Sequence, residues 1–305
     1  MPERGGNPGR WTEHTVAADE AGRTVQEILT GVMGISRRMI QRLTRARGLL
    51  HNRRPAWLGA KVKPGDVVAA RLAASEEAGL APVRMPLAIV HEDAELLVVD
   101  KPPFLLVHPT TPEQDRTLSH GIAWHFERLG LRTKVRPVHR IDRDTSGLVA
   151  FAKTAHAHHR LDLQLRSGDL KREYLALVDG VVANERGTLD APIARDPRNP
   201  SLRVVRPGAE PAVTHWRVAE RYPAATLLRL ELDTGRTHQI RVHLLHAGHA
   251  VLGDRQYGRK GLELIGRQAL HASRLAFAHP STGAPLELTA GLPDDMRAAV
   301  DRLAA

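Results

Sequence analysis

Residues 139–149 read His-Arg-Ile-Asp-Arg-Asp-Thr-Ser-Gly-Leu-Val, two carboxylates and two arginines ahead of a Thr-Ser-Gly turn and an apolar run. Polar groups this dense at the mouth of a strand mark a site-bearing loop, because the strand fixes what the loop displays. An Asp beside Arg has its ionised form favoured, so at neutral pH it serves as nucleophile or charge stabiliser and not as an acid. A structural ion-pair turn would have the same composition. A second cluster is Thr234-Gly235-Arg236-Thr237-His238-Gln239-Ile240-Arg241-Val242-His243. Gly235 is expected to end a strand and a helix to open at about Thr237, which puts Thr237 and Arg241 on one face, four residues apart. Arg241, with Arg236 at the helix mouth, could clamp a carboxylate and hold it in one rotamer. Thr237 and His238 could hydrogen-bond a polar ligand. A basic helix face on phosphate is the competing reading.

Other chemistries find less support. The chain has no cysteine, which excludes disulfides, thiolate nucleophiles and Cys-based zinc sites. Of its 17 histidines, His156, His158 and His159 lie closest together, but that spacing does not bring all three to one helix face, and no metal site is expected. There is no apolar run of about 18 residues and no signal-peptide core at the start, so a cytoplasmic protein with no membrane contact is expected.

The elements that must position these clusters are legible in part. Strand-like runs lie at 87–90, 96–99, 147–152, 174–178, 226–232 and 286–288, with helical patterns at 118–129, 154–166 and 237–247. Strands in excess of helices, in mixed order, point to an α+β fold built on one large mixed sheet over residues 86–305. Residues 73–85 read as a linker and 1–22 as a disordered tail.

Between them lies a small unit at 23–72. Thr24-Val25-Gln26-Glu27 has the form of a capping box, and a second helix is expected from Ser36 to Gly48. Short strands are expected near 49–51 and 67–72. The first 72 residues hold 13 Lys/Arg against 6 Asp/Glu, +7 of the chain's total of +10. Arg37, Arg38, Arg42, Arg45 and Arg47 concentrate that charge on the second helix. A compact positive surface attracts polyanions, nucleic acid above all, although solvated arginines on a helical cap would look alike.

With these residues in view, the chain is identified as resembling RluA-type pseudouridine synthases. Ile89-Val90-His91-Glu92-Asp93, Leu97-Val98-Val99-Asp100-Lys101-Pro102-Pro103 and Val107-His108-Pro109 resemble the first motif of that family. The stretch 139–147 resembles the second, whose catalytic aspartate matches Asp142 and not Asp144. Lys171-Arg172-Glu173-Tyr174-Leu175-Ala176 resembles the motif whose tyrosine lies against the target base. Residues 234–244 with Gly253-Asp254-Arg255-Gln256-Tyr257-Gly258 resemble the third motif, and Leu270-His271-Ala272 with His279-Pro280 the closing one. Ile141 stands where the family more often has Leu, Thr110-Thr111 replaces a Gly-rich stretch, and 208–214 lacks the family's lysine. The N-terminal unit resembles the RNA-binding domain named after ribosomal small-subunit protein four, through Gly34-Ile35-Ser36-Arg37, Gly48-Leu49-Leu50-His51-Asn52 and Val62-Lys63-Pro64-Gly65-Asp66.

The resemblance implies a mainly antiparallel sheet domain flanked by helices and loops, preceded by a small α/β RNA-binding domain. It implies isomerisation of uridine to pseudouridine in RNA: the N1–C1′ bond breaks, the base turns and rejoins through C5. Asp142 is then the carboxylate at C1′ or C6, Arg241 its partner and Tyr174 the stacking residue. Leu270 closes the opposite face, Arg236 and His238 bind substrate, and Arg140 fills the space of a flipped-out uridine or holds a phosphate. No cofactor or metal is implied. The expected partner is RNA, ribosomal in preference to transfer RNA, met by a monomer. A catalytically silent RNA-binding or ribosome-assembly protein on the same fold is the alternative. A His/Asp nuclease or hydrolase lacks its carboxylate cluster.

Overall fold

The computed structural model describes residues 11–72, 79–111 and 114–305. The N-terminal unit consists of β1 (Trp11–Thr15), α1 (Val25–Glu27), α2 (Arg37–Arg45), β2 (Leu49–His51), β3 (Arg54–Pro55) and β4 (Val67–Arg71). Its strands form an antiparallel sheet in the order β1-β4-β2-β3. Both expected caps are present. Glu27 N–H donates to Thr24 Oγ1 at 3.2 Å while Thr24 N–H donates to Glu27 Oε2 at 2.6 Å, and Met39 N–H donates to Ser36 Oγ. These bonds serve amides that have no partner within the helix. Val25, Ile28, Leu29, Met39, Ile40, Leu43 and Val68 make a separate small core.

Two expectations for this half change. Within the expected tail over 1–22, residues 11–15 form β1 on the edge of β4, and residues 1–10 lie outside the described residues. Val16 anchors the segment in the small core, and hydrogen bonds hold the polar remainder: Glu20 accepts from Ala17 N–H at 2.8 Å and lies 2.6 Å from His14 Nε2. In the expected linker, residues 73–78 lie outside the described residues. The end of that linker belongs to the second unit, where Val83 N–H donates to the His120 carbonyl and Met85 lies against Gly121.

That unit contains β5 (Ala88–Glu92), β6 (Leu96–Lys101), α3 (Leu118–Arg128), β7 (Arg136–Pro137), β8 (Ser146–Ala152), α4 (Ala155–Ser167), β9 (Lys171–Asp179), β10 (Arg186–Asp190), β11 (Ile193–Arg195), β12 (Arg203–Val205), β13 (Val213–Tyr222), β14 (Ala225–Leu232), α5 (Gln239–His246), β15 (Leu270–Ala278), β16 (Pro285–Thr289) and α6 (Asp294–Ala304). A mixed sheet runs β10-β13-β14-β9-β15-β8-β6-β5, with β16 on β15 and β7 on β8. Among the described residues, β15 with β8 is its one parallel pair. The central strands are buried on both faces, and their alternation divides the core. Leu97, Val99, Val149 and Phe151 meet Leu118, Ile122 and Phe126 of α3 and Met296 of α6. Leu96, Val98, Leu148 and Ala150 meet Ala157 and Leu161 of α4. Each such side chain fully withdrawn from water contributes roughly 1.5–3 kcal/mol, so the middle of the sheet is the rigid base on which the adjoining loops rest.

The units touch. Ala155 at the start of α4 packs on the N-terminal core, and Arg160 lies so close to Gly34 that a Cβ there would fall 2.2 Å from its Nη1. Among the described residues no helix is long and apolar enough to cross a membrane.

Candidate active site

The loop entering β8 carries Asp142. Its geometry follows from Gly147, whose φ is +112° and where a Cβ would lie 2.3 Å from the Ala272 carbonyl oxygen; only glycine lets the two parallel strands approach there. Ahead of that contact the chain turns, with Thr145 N–H donating to the Asp142 carbonyl. Lys101 Nζ donates to the Arg143 carbonyl at 2.9 Å, and Arg267 Nη1 to the Asp144 carbonyl at 3.1 Å. Ile141, beside Asp142, is buried in the main core.

The two carboxylates of the loop part company. Asp144 accepts a two-pronged pair from its neighbour Arg143, at 2.7 and 3.0 Å. Asp142 Oδ2 instead accepts from Arg241 Nη1 at 3.1 Å, across 99 residues of sequence. Arg241 is only 3% exposed and is itself gripped from behind. Its Nε and Nη2 donate to Asp254 at 2.6 and 2.9 Å, and Nη2 also to Gln256 Oε1 at 2.7 Å. Its guanidinium lies 4.8 Å from the centre of the Tyr257 ring. Burial opposes the guanidinium's charge, but the bonds and charges of Asp254 and Asp142 outweigh it and raise its pKa. A permanently charged, immobilised donor therefore faces one oxygen of Asp142.

The element supplying Arg241 differs from expectation at its start. The helix begins at Gln239, so Thr237 precedes it, and His238 is its N-cap in the left-handed region at φ +59°. The cause is the Gln239 side chain, which accepts from Thr234 Oγ1 and Arg236 N–H and donates to the Val213 carbonyl and Thr214 Oγ1. These bonds hold 234–238 in a turn that a helix from Thr237 would break. Thr237 and Arg241 nonetheless both line the outer cleft.

Two cavities meet at Asp142. An outer cleft of about 620 Å³ runs past Val107, His108, Arg140, Thr237 and Arg255. An inner recess of about 60 Å³ is bounded by Tyr174, Leu270, Ile240, Arg172 and Arg236. Asp142, Arg140, His238 and Arg241 line both. The recess has room for roughly two waters, so a planar base must widen it on entry. Tyr174 and Leu270 are buried walls, and burial raises the Tyr174 phenol pKa, with Arg172 opposing and Asp142 adding to the rise. Burial likewise depresses the His238 imidazole, although Asp142 pulls the other way, and its Nδ1 lies 2.9 Å from Tyr257 Oη.

Such a site, a carboxylate fixed by a buried arginine between an open cleft and a small recess, has counterparts. Residues 95–246 match the family model for RNA pseudouridylate synthase. Over 291 residues, 95% of the chain and 96% of the relative, the sequence is 38% identical to the uncharacterized RNA pseudouridine synthase YhcT of Bacillus subtilis. It is 40% identical over 249 residues to ribosomal large subunit pseudouridine synthase D of Vibrio cholerae, covering 77% of this chain and 76% of that one. The chain belongs to the RNA pseudouridylate synthase family. The human RNA pseudouridylate synthase domain containing 1 superposes with a TM-score of 0.57 at 26% identity, over 68% of this chain and 83% of that one.

Against this family background, the expected site residues divide. Asp142, Tyr174, Arg241, Arg140, His238 and Leu270 converge on the two cavities. Arg236 lines the recess, but its guanidinium is engaged by Glu210 at 2.6 Å and by the Pro211 carbonyl at 3.0 Å, not by Asp142. Arg37, Arg38, Arg42 and Arg45 are exposed on α2. Three of them, Arg38, Arg42 and Arg45, border a separate cleft of about 900 Å³ with Lys134, Arg136, His158 and His159 of the second unit. Among the described residues no group of three or more metal-ligating side chains is assembled. Sequence reasoning placed Asp254, Gln256, Tyr257 and Arg172 in motifs without giving them a role, and it missed Arg267. The signal for Asp254 was present in Gly253-Asp254: Gly253 has φ +73°, and a Cβ would lie 2.0 Å from the Arg267 carbonyl, a constraint that seats the next residue under Arg241.

Proposed function

We propose that this RNA pseudouridine synthase acts on ribosomal RNA as a cytoplasmic monomer, flipping the target uridine out of its stack into the junction of cleft and recess. The observation that carries the reading is the Asp142–Arg241–Asp254 chain opening onto that junction. Support for ribosomal RNA comes from the name of the Vibrio relative and from the basic cleft beside α2, which suits phosphates. A flipped base has lost its stacking, and a recess walled by Tyr174 and Leu270 offers apolar faces in return. Asp142, held by Arg241, is then positioned to attack C6 or C1′, or to stabilise the charge that develops as N1–C1′ breaks. The detached uracil stays within the recess while it turns. Forming the C5–C1′ bond makes C5 the carbon that loses a proton, so the reaction is an isomerisation with no redox change. Tyr174 supplies the ring against the base, and its hydroxyl is the candidate to take the proton that leaves C5.

The test is release of tritium to water from ribosomal RNA transcribed with uridine labelled at C5. Wild-type protein should release it. Asp142→Asn should lower the rate at least about a hundredfold, ~2.7 kcal/mol of barrier. A rate within about tenfold of wild type, ~1.4 kcal/mol, would remove Asp142 from the chemistry, and no release by wild type on any RNA would favour the catalytically silent alternative.

A further inference from the structure

Phe104 combines two features that folding does not reward. Its φ is +64°, a left-handed conformation that the Cβ of any residue but glycine disfavours, and its side chain buries little in return, for the residue is 62% exposed. A glycine at this position would relieve the strain and surrender almost no packing. The ring also has a definite place: it lines the outer cleft with Asp142, and Arg140 and Arg255 stand exposed around the same opening. Its loop is not free to swing away. Leu105 N–H donates to the Arg143 carbonyl at 3.1 Å, the same oxygen that accepts from Lys101 Nζ. Phe104 is thus pinned to the residue that follows Asp142.

We propose that Phe104 is a stacking platform for an RNA base next to the uridine that enters the Asp142 pocket, with Arg140 and Arg255 set to meet the phosphates on either side. The proposal rests on the reading of this cleft as the path of a flipped uridine. Extruding one nucleotide leaves the faces of its neighbours uncovered, and an exposed aromatic at the entrance covers one of them. Because every base has a π face, such a platform adds affinity without reading sequence.

Full-length wild type, Phe104→Gly, Phe104→Trp and Phe104→Leu would be compared in two assays. In tritium release from transcribed ribosomal RNA, Phe104→Gly should raise KM roughly fivefold to a hundredfold, the range for loss of one base–aromatic stack, with the effect on KM and not kcat. Its Tm should stay level or rise. Phe104→Trp should restore KM, and Phe104→Leu should not. The second assay needs no turnover: single-stranded RNAs carrying 2-aminopurine beside a uridine should be quenched by wild type and by Phe104→Trp, and not by Phe104→Gly. Wild-type KM and quenching in Phe104→Gly, a lowered Tm with unchanged KM, or full recovery in Phe104→Leu would each overturn the proposal. Absence of tritium release with quenching that still depends on the ring would count against the enzymatic reading alone.

Discussion

Asp254→Asn preserves the shape of a side chain and removes the charge behind the proposed nucleophile. Asp254 is fully buried and its two oxygens serve two sides. Oδ1 accepts from the Gln256 and Tyr257 amides at 2.9 and 3.0 Å as well as from Arg241 Nη2, while Oδ2 accepts from Arg241 Nε at 2.6 Å. An amide cannot satisfy both. With its oxygen on the backbone side, its NH2 confronts Arg241 Nε–H; reversed, it confronts two backbone N–H groups. Either way a donor meets a donor where no water can intervene, and the guanidinium loses one of its two bonds to residue 254 together with the charge that faced it. Breaking one partner of a buried pair costs about 3–5 kcal/mol, and an unsatisfied donor alone about 1–3, so a loss of about 3–5 kcal/mol is expected. Arg241→Met should cost as much, since it strands the buried Asp254 charge. In the double variant neither group is left stranded, so its loss should fall short of the sum by at least about 2 kcal/mol. Urea unfolding measures all four proteins, with unchanged m-values as the condition for comparing midpoints. In turnover, Asp254→Asn should reduce kcat more than it raises KM, because Asp142 loses its fixed rotamer. Additivity of the two substitutions within about 0.5 kcal/mol would refute the claim that Asp254 acts through Arg241.

Three further outcomes are expected. Tyr174→Phe should bind RNA as wild type does and turn over more slowly if the hydroxyl takes part in proton removal, whereas Tyr174→Ala should lose both; wild-type rates in both variants would exclude Tyr174 from the site. Burial, with Arg172 adding to it, holds His139 down to about 3 from 6.5, so between those values the unfolded chain takes up a proton that the folded one refuses, and stability falls as pH drops. His139→Gln should flatten that fall by up to about 1.4 kcal/mol per pH unit, and parallel stability–pH curves would show that His139 does not titrate on unfolding. Deleting residues 1–72 should leave turnover at saturating RNA and weaken binding, with the log–log salt slope shallower by roughly 0.7–0.9 per lost phosphate contact; superimposable salt curves would mean that α2 does not meet RNA.

Where burial fell on both faces, the chain announced its structure. The apolar runs at 96–99 and 147–152 became β6 and β8, and Thr24, Ser36 and Thr154 stand as N-caps where the pattern put helix starts. The elements that escaped are half-buried or polar. β13 alternates His215, Arg217 and Glu220 with residues facing the core, and in α6 only Met296 and Ala299 are buried, too sparse a stripe to stand out. β1 is held chiefly by sheet pairing and by polar bonds around Glu20. In the site, Asp142, Tyr174 and Arg241 were reachable because motifs carry them. Arg172 sits in the same motif as Tyr174 but was given no role, and Arg267 lies outside every motif, since what gives a basic residue its role is burial, and burial depends on a register that only the folded sheet supplies.

That dependence explains the site's construction. Asp142, Tyr174, Arg241 and Leu270 come from four places in the chain: the loop into β8, the middle of strand β9, the first turn of α5 and the first residue of β15. β15 pairs with both β8 and β9, so the strand that begins with Leu270 is also the one that sets Asp142's loop against Tyr174. Arg267 then ties the Asp144 carbonyl to Asp295 of α6, at 2.7 and 2.8 Å from Nε and Nη2, and braces the loop from the C-terminal side. A carboxylate on a free loop would sample rotamers and would have to be ordered at each turnover. Here the strand register, Gly147 and two buried arginines have already ordered it, so substrate binding energy remains for flipping the nucleotide and widening the recess.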